Sequence, residues 1–141
     1  MKKNVLLLLL LVTVSIGYSQ LQTKFDYLDV FQLEYANDPQ ISPDGNYVVY
    51  RRTGFDIMKD RSVSSLWLVS TGEQGIHHKL TSREGNESQA RWSPDGKRIA
   101  FVASTENGSE IYMYWTDTGA LARLTQLPAS PSNLTWSPNG R

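Results

Sequence analysis

Three copies of one short phrase organise this chain. Ser42-Pro43-Asp44-Gly45, Ser93-Pro94-Asp95-Gly96 and Ser137-Pro138-Asn139-Gly140 lie 51 and 44 residues apart. At ordinary proline and glycine frequencies, about half of one Pro-x-Gly triplet is expected by chance in a chain of this length. Three, each with Ser in front and Asp or Asn inside, are a repeat. A period of roughly 40 to 50 residues belongs to propeller blades and other tandem arrays. The phrase also spells out a turn. Ser suits the first position of a type I turn, Pro fixes φ at the second, Asp or Asn tolerates the third, and Gly takes the left-handed conformation that closes a bulged hairpin.

The residues around each turn read as short strands. In the second copy they are a strand ending at Trp92, then Lys97 to Ala103, Glu110 to Trp115 and Ala122 to Thr125, separated by Asn107-Gly108 and Asp117-Thr118-Gly119 turns. The first copy has counterparts at Pro39 to Ile41, Asn46 to Arg51, Leu66 to Val69 and Ile76 to Leu80, with a longer connection from Arg52 to Ser65. Leu80-Thr81 and Leu124-Thr125 close the two units at matching places. A four-stranded antiparallel unit repeated in tandem is a propeller blade. A helical array of similar period is the structural rival, but Gly and Asn punctuation every 10 to 15 residues leaves no room for two good helices per repeat and favours the propeller. The predicted fold class is therefore all-β: a partial β-propeller with blades at 37–82 and 86–126 and the start of a third at 131–141. Rings of this kind hold four to eight blades, so more blades are expected past Arg141.

The first residues read as an address label. Met1-Lys2-Lys3 is a positive start, Val5 to Ile16 an apolar core, and Gly17-Tyr18-Ser19 offers the small residues that a signal peptidase reads. About twelve apolar residues fall short of the roughly 20 needed to span a bilayer. The expectation is an exported, periplasmic or extracellular protein, with a signal peptide at 1–19 and no stable membrane anchor after cleavage. Residues 20–36 form a separate N-terminal segment. There Phe25, Leu28, Val30, Phe31 and Leu33 could line a short helix begun by Asp26 and Asp29, or the segment could run extended. The chain has 14 basic and 14 acidic residues and no cysteine. Nothing in that balance provides a basic surface for nucleic acid, and stability has to come from burial and sheet pairing rather than disulfides.

Candidate chemical residues are few. His77-His78 are the only histidines; neighbours on a strand point to opposite faces, so they do not share a ligand, and a surface position is expected. Asp44, Asp95 and Asn139 are accounted for by their turns and do not form a run of calcium ligands. Trp92 and Trp136, with Ile41 at the equivalent place, are expected to fill the spaces between blades. Asn86-Glu87-Ser88, Asn107-Gly108-Ser109 and Asn133-Leu134-Thr135 fit the glycosylation sequon and are read as turn and strand residues. No G-x-S-x-G elbow is present, so no catalytic residue is assigned, and no metal or cofactor site either. The Arg52 to Ser65 insertion, with Asp56, Lys59, Asp60 and Arg61, is the best candidate for a functional element, since loops leaving a propeller reach partner domains or the channel mouth.

The segments FDYLDVFQLEYANDPQISPDGNYVVY, FDIMKDRSVSSLWLVS, LTSREGNESQARWSPDGKRIAFVAS and LTQLPASPSNLTWSPNGR resemble, together, the amino-terminal propeller of exported prolyl oligopeptidase family peptidases, of the acylaminoacyl-peptidase or dipeptidyl-peptidase type. The resemblance spans Phe25 to Arg141. It implies a partner: a C-terminal α/β-hydrolase domain of the same parent chain, carrying a Ser-Asp-His triad that the propeller covers and restricts to short peptide substrates. The fragment itself would then be non-catalytic, and the dipeptidyl peptidases' paired-glutamate motif is not found in it. The WSPDG repeat is shared with TolB-like envelope propellers, which bind proteins and catalyse nothing. The DPQISPDG start followed by a DIMKDR-type insertion favours the peptidase.

Overall fold

The computed structural model describes residues 26–72 and 75–140; the expected signal peptide at 1–19 lies outside them. Among the described residues, eight strands form two separate four-stranded sheets. The first is β1 (Tyr35–Ile41), β2 (Tyr47–Asp56), β3 (Arg61–Ser70) and β4 (His77–Lys79); the second is β5 (Glu87–Trp92), β6 (Arg98–Thr105), β7 (Gly108–Trp115) and β8 (Leu121–Arg123). In each, the strands lie side by side in chain order and every pair is antiparallel. Each sheet is thus a plain meander, built entirely from one copy of the repeat. Ahead of it, Tyr27–Gln32 forms a 3₁₀ helix in which the Asp29 carboxylate accepts from the Asp26 N–H at 2.7 Å. That turn buries no side chain. Phe25 lies outside the described residues.

The serine-proline turn does what its residues dictate. Gly45 N–H donates to Ser42 O and Gly96 N–H to Ser93 O, both at 2.9 Å. The glycines take φ of 75° and 69°, a region that costs a residue with a Cβ but not glycine. Inside each turn the Ser hydroxyl donates to the Asp carboxylate, Ser42 to Asp44 at 2.5 Å and Ser93 to Asp95 at 2.6 Å. The same hydroxyl accepts the N–H of Tyr47 or Arg98, in each case at 2.9 Å, so one side chain fastens both ends of the hairpin. The third copy repeats the turn, with Gly140 N–H on Ser137 O at 2.9 Å and the Ser137 hydroxyl on Asn139 at 2.7 Å. No strand is paired with it among the described residues.

A second device repeats along the chain. The register slips once in β1, between Asn37 and Gln40, and once at the same place in β5, between Ser88 and Arg91. Asp38 and Gln89 sit at these bulges with φ of 49° and 54°, and Asn133, at the same place in the third copy, has φ of 56°. A bulge bends its strand and tightens the local twist, here always one residue before the position held by Pro39 or Ala90.

The sheets pack face to face around one core. Val49, Leu66 and Leu68 of the first sheet, with Leu80, meet Ala90, Ile99, Phe101, Ala103 and Tyr112 of the second. The Phe101 and Tyr112 rings stack at 5.9 Å between centroids, within the range favoured by aromatic pairs. One buried carboxylate crosses the seam. Glu87 is fully buried, and it accepts from the Leu66 N–H at 3.0 Å and from the Thr81 hydroxyl. This gives the strand-closing Leu-Thr pair a partner in the next sheet.

The connection 52–65 corrects the sequence expectation. It is not a loop: β2 runs on to Asp56, β3 starts at Arg61, and the two pair without interruption from Tyr47↔Ser70 to Asp56↔Arg61. The turn between them is the 3₁₀ helix Ile57–Lys59, capped by the Asp56 carboxylate on the Lys59 N–H at 3.2 Å and ended by Asp60 at φ 46°. Gly54 and the charged residues read as loop punctuation in the sequence, but on an exposed hairpin such residues are tolerated because cross-strand pairing supplies the order.

Candidate functional site

The long hairpin projects past the tight turn that joins β6 and β7, where Thr105 pairs directly with Gly108. Its tip is apolar and uncovered: Phe55 is 48% exposed, Ile57 54% and Met58 92%. At the same end of the sheet, the 3₁₀ segment leads into β1 with Tyr27, Leu28, Phe31 and Leu33 also exposed. The two elements are tied by the ion pair of Glu34 with Arg52. Exposed apolar clusters of this extent mark contact surfaces in soluble proteins.

Between the hairpin and the β4–β5 connection lies a cleft of about 390 Å³. The connection is stitched to the hairpin, since Asn86 accepts from the Ser64 N–H at 2.9 Å and the Ser64 hydroxyl donates to Glu87 O at 2.9 Å. Gly85 takes φ of 96°, and a Cβ there would stand 2.7 Å from the Ser104 hydroxyl; only glycine lets the connection lie this close to β6. Arg83 forms one wall, with its guanidinium 4.0 Å over the Tyr112 ring and one η nitrogen donating to Ser104 O at 3.0 Å. Its Nε is buried and has no hydrogen-bond partner.

The other candidates fall where the sequence places them, with additions. His77 and His78 are both exposed and stand opposite Val69 and Leu68; the His77 Nε2 is 2.7 Å from the Tyr50 hydroxyl. Among the described residues no group of three or more His, Asp or Glu could hold a metal. Asp44 and Asp95 have carboxyls held below their ordinary pKa, first by the hydroxyls of Ser42 and Ser93 and then by the N–H groups of Asn46 and Lys97. Trp92 and Trp136 do more than fill space. The Trp92 indole N–H donates to Gln40 O at 3.0 Å and that of Trp136 to Arg91 O at 2.9 Å, so each copy is pinned to the backbone of the one before. Ile41 departs from the expectation: it is 68% exposed, because no sheet covers its face among the described residues. Of the sequon asparagines, Asn86 bridges to the hairpin, Asn107 lies in the β6–β7 turn and Asn133 occupies the left-handed bulge position.

Tandem four-stranded meanders, stacked face to face and begun by one repeated turn, define a partial β-propeller. No family model matches the chain. Over 113 residues it is 32% identical to the peptidase YuxL of Bacillus subtilis, covering 79% of this chain and 17% of that protein. With dipeptidyl-peptidase 5 of Porphyromonas gingivalis it shares 35% identity over 77 residues, 55% of this chain and 11% of the other. A TolB homologue from Protochlamydia amoebophila is 30% identical over 74 residues, 48% of this chain and 16% of that one. Among solved structures, the Pyrococcus horikoshii acylaminoacyl peptidase superposes with a TM-score of 0.66 at 23% identity, over 83% of this chain and 18% of its own. The propeller domain of the Pyrococcus furiosus trilobed protease gives 0.61 at 22%, over 78% and 32%. The chain is therefore similar to peptidases, one of them through its propeller domain, and it spans less than a fifth of the length of the curated relatives it matches.

Proposed function

We propose that this chain is part of the propeller of an exported serine peptidase of the prolyl oligopeptidase family, that it covers an α/β-hydrolase active site in the same parent protein, and that it limits access to short peptides. The observation that carries this reading is the 32% identity to a peptidase across 79% of the chain. The geometry supports it in one respect. The apolar hairpin tip and the 3₁₀ segment provide the kind of contact surface that a second domain would cover, while the mutually facing sides of the two sheets are used for stacking. Residues 1–19 act as a cleaved signal peptide in this reading, which sends the parent to the periplasm or the exterior. The blades take the boundaries 37–82, 86–126 and 131–141, after the N-terminal segment 20–36. None of these residues forms or breaks the scissile bond.

The test is covalent labelling of the parent protein with a fluorophosphonate. Labelling of a single serine outside residues 1–141 is expected, together with hydrolysis of di- to tetrapeptide derivatives and resistance of folded proteins. The second reading, a TolB-like protein-binding propeller, is favoured by the 30% identity to a TolB homologue. It requires that the probe leave the protein unlabelled.

A further inference from the structure

We propose that the cleft between the β2–β3 hairpin and the β4–β5 connection is a binding site for a peptide carboxylate. The argument rests on charge left over after pairing. Five cations line this cleft. Arg52 is paired with Glu34, and Lys59 with Asp56 at 3.6 Å. Arg61, Lys79 and Arg83 have no carboxylate partner among the described residues, and the lining acid that remains free is Glu84. The cleft is thus built with a surplus of cations.

Two of those cations, Arg83 and Lys79, are held in place. Arg83 is held flat on Tyr112 at 4.0 Å and anchored on Ser104 O, so its guanidinium is fixed before any ligand arrives. Lys79 Nζ donates to the Arg83 carbonyl at 3.3 Å, which keeps the ammonium beside it. Arg61 stands across the gap at the start of β3. A planar guanidinium offers paired N–H groups matched to the two oxygens of a carboxylate, and a recess strengthens the attraction by partly excluding water. A volume of about 390 Å³ lies at the lower end of the range for small-ligand sites and suits the end of a short peptide. Val63 and Trp67 offer apolar contact for the flanking side chain.

A carboxylate can come from a peptide's C-terminus or from an acidic side chain, and the experiment separates the two. The parent protein, treated with a fluorophosphonate so that peptides survive, is titrated by calorimetry with acetyl-Ala-Ala as free acid, with its C-terminal amide, with acetyl-Ala-Glu-amide and with inorganic phosphate. At least one carboxylate peptide should bind ~10-fold or more tightly than the neutral amide, a difference of ~1.4 kcal/mol. The double variant Arg61→Gln/Lys79→Gln should weaken that binding by a similar factor while leaving the melting temperature unchanged, because both side chains are exposed. Binding in the serine site would be indifferent to the double variant. The proposal is overturned if the neutral amide binds as well as the acids, if the variant binds as the parent does, if phosphate outcompetes both peptides, or if nothing binds. A parent that fails to react with the fluorophosphonate would remove the peptidase reading and leave the calorimetric result standing.

Discussion

The two sheets are copies of one plan, and they differ most on the face that each turns toward the start of the chain. In the second sheet that face carries Trp92, Ile99, Phe101, Ala103 and Tyr112, packed against the first sheet. In the first sheet the same positions hold Ile41, Val48, Tyr50, Arg52 and Trp67, facing no other sheet among the described residues. Tyr50 and Trp67 pair across β2 and β3 as Phe101 and Tyr112 do across β6 and β7. The ladder is kept, but the chemistry has changed from apolar to mixed. Arg52 stands where Ala103 lies, and Ala36 where the buried Glu87 lies. At the buried Ala103 position the covered copy keeps a small side chain, while the uncovered copy leaves Arg52 paired with Glu34 at the surface. Burial, and not the repeat itself, decides which residues each position tolerates.

The largest expected effect tests whether burial is the right variable. Phe101→Ala should destabilise by ~3–5 kcal/mol, the usual cost of emptying a packed aromatic site. In a protein ending at residue 141, Tyr50→Ala should cost less than ~1 kcal/mol, because the ring is half-exposed and little cavity is created. In a parent with more blades the cost of Tyr50→Ala should rise toward that of Phe101→Ala. Urea unfolding of the four proteins decides. A parent in which Tyr50→Ala stays neutral would mean that this face never meets another sheet.

Next in size is the buried carboxylate. Glu87→Ala removes the acceptor of the Leu66 N–H and the Thr81 hydroxyl in a buried seam, leaving two donors unsatisfied at ~1–3 kcal/mol each. We expect a loss of ~3 kcal/mol in unfolding free energy, and about half of that for Glu87→Gln, which retains one oxygen acceptor. The second Leu-Thr pair is served differently: the Thr125 hydroxyl donates to Glu110 of its own sheet at 2.6 Å, and Pro131 stands where Glu87 would recur. Glu110 also accepts from the Leu127 N–H at 3.1 Å, so Glu110→Ala should both destabilise its sheet and loosen the connection into the third copy. Faster proteolytic release of residues past 127 in Glu110→Ala than in the wild type checks this.

The indole ties come third. Trp92→Phe keeps most of the ring but removes the bond to Gln40 O, for ~1 kcal/mol. Breaking the half-exposed Arg91–Asp38 pair, 3.1 Å apart across the same seam, should cost no more than ~1 kcal/mol. A Trp92→Phe variant as stable as wild type would mean that the Gln40 carbonyl finds water instead.

How much of this could be read in the chain follows the range of the interactions. The Ser-Pro turns and the strands around them were legible because Pro, Gly and Asp act on their own backbone within four residues. The full length of the Tyr47 to Asp56 and Arg61 to Ser70 hairpin is not legible in the sequence, because Arg52, Gly54, Asp56 and Arg61 carry no strand preference and are ordered by their cross-strand partners. The left-handed residues Asp38, Gln89 and Asn133, the first two at strand bulges, share a position but not a residue type, and only aligning the three copies exposes them. Glu87 and Arg83 were invisible for the same reason. An exposed acid and a buried one look alike in sequence until the Leu66 N–H and the Thr81 hydroxyl are brought to it from 21 and 6 residues away. The cleft lies between two copies, so no pattern within one copy announces it.

The smallest effect compares the three turns with one another. Asp44 and Asp95 are exposed, yet their carboxyls are held below the ordinary range, mainly because the Ser42 and Ser93 hydroxyls donate to the ionised form. A group whose pKa is depressed on folding adds stability above its unfolded value, near 3.9 for aspartate, and loses it as the pH falls through the lower folded value. The first two turns should therefore weaken on acidification below about pH 4, while the third, with Asn139 in the same bond from Ser137, should not respond. Asp44→Asn and Asp95→Asn make the first two copies resemble the third, so both should flatten the acid limb of stability slightly and change little at neutral pH. Carboxyl ¹³C titration of the wild type gives the folded values directly. If Asp44 and Asp95 titrate at or above 3.9, the serine hydroxyls are not holding them, and the likeness of the three turns is one of backbone shape alone.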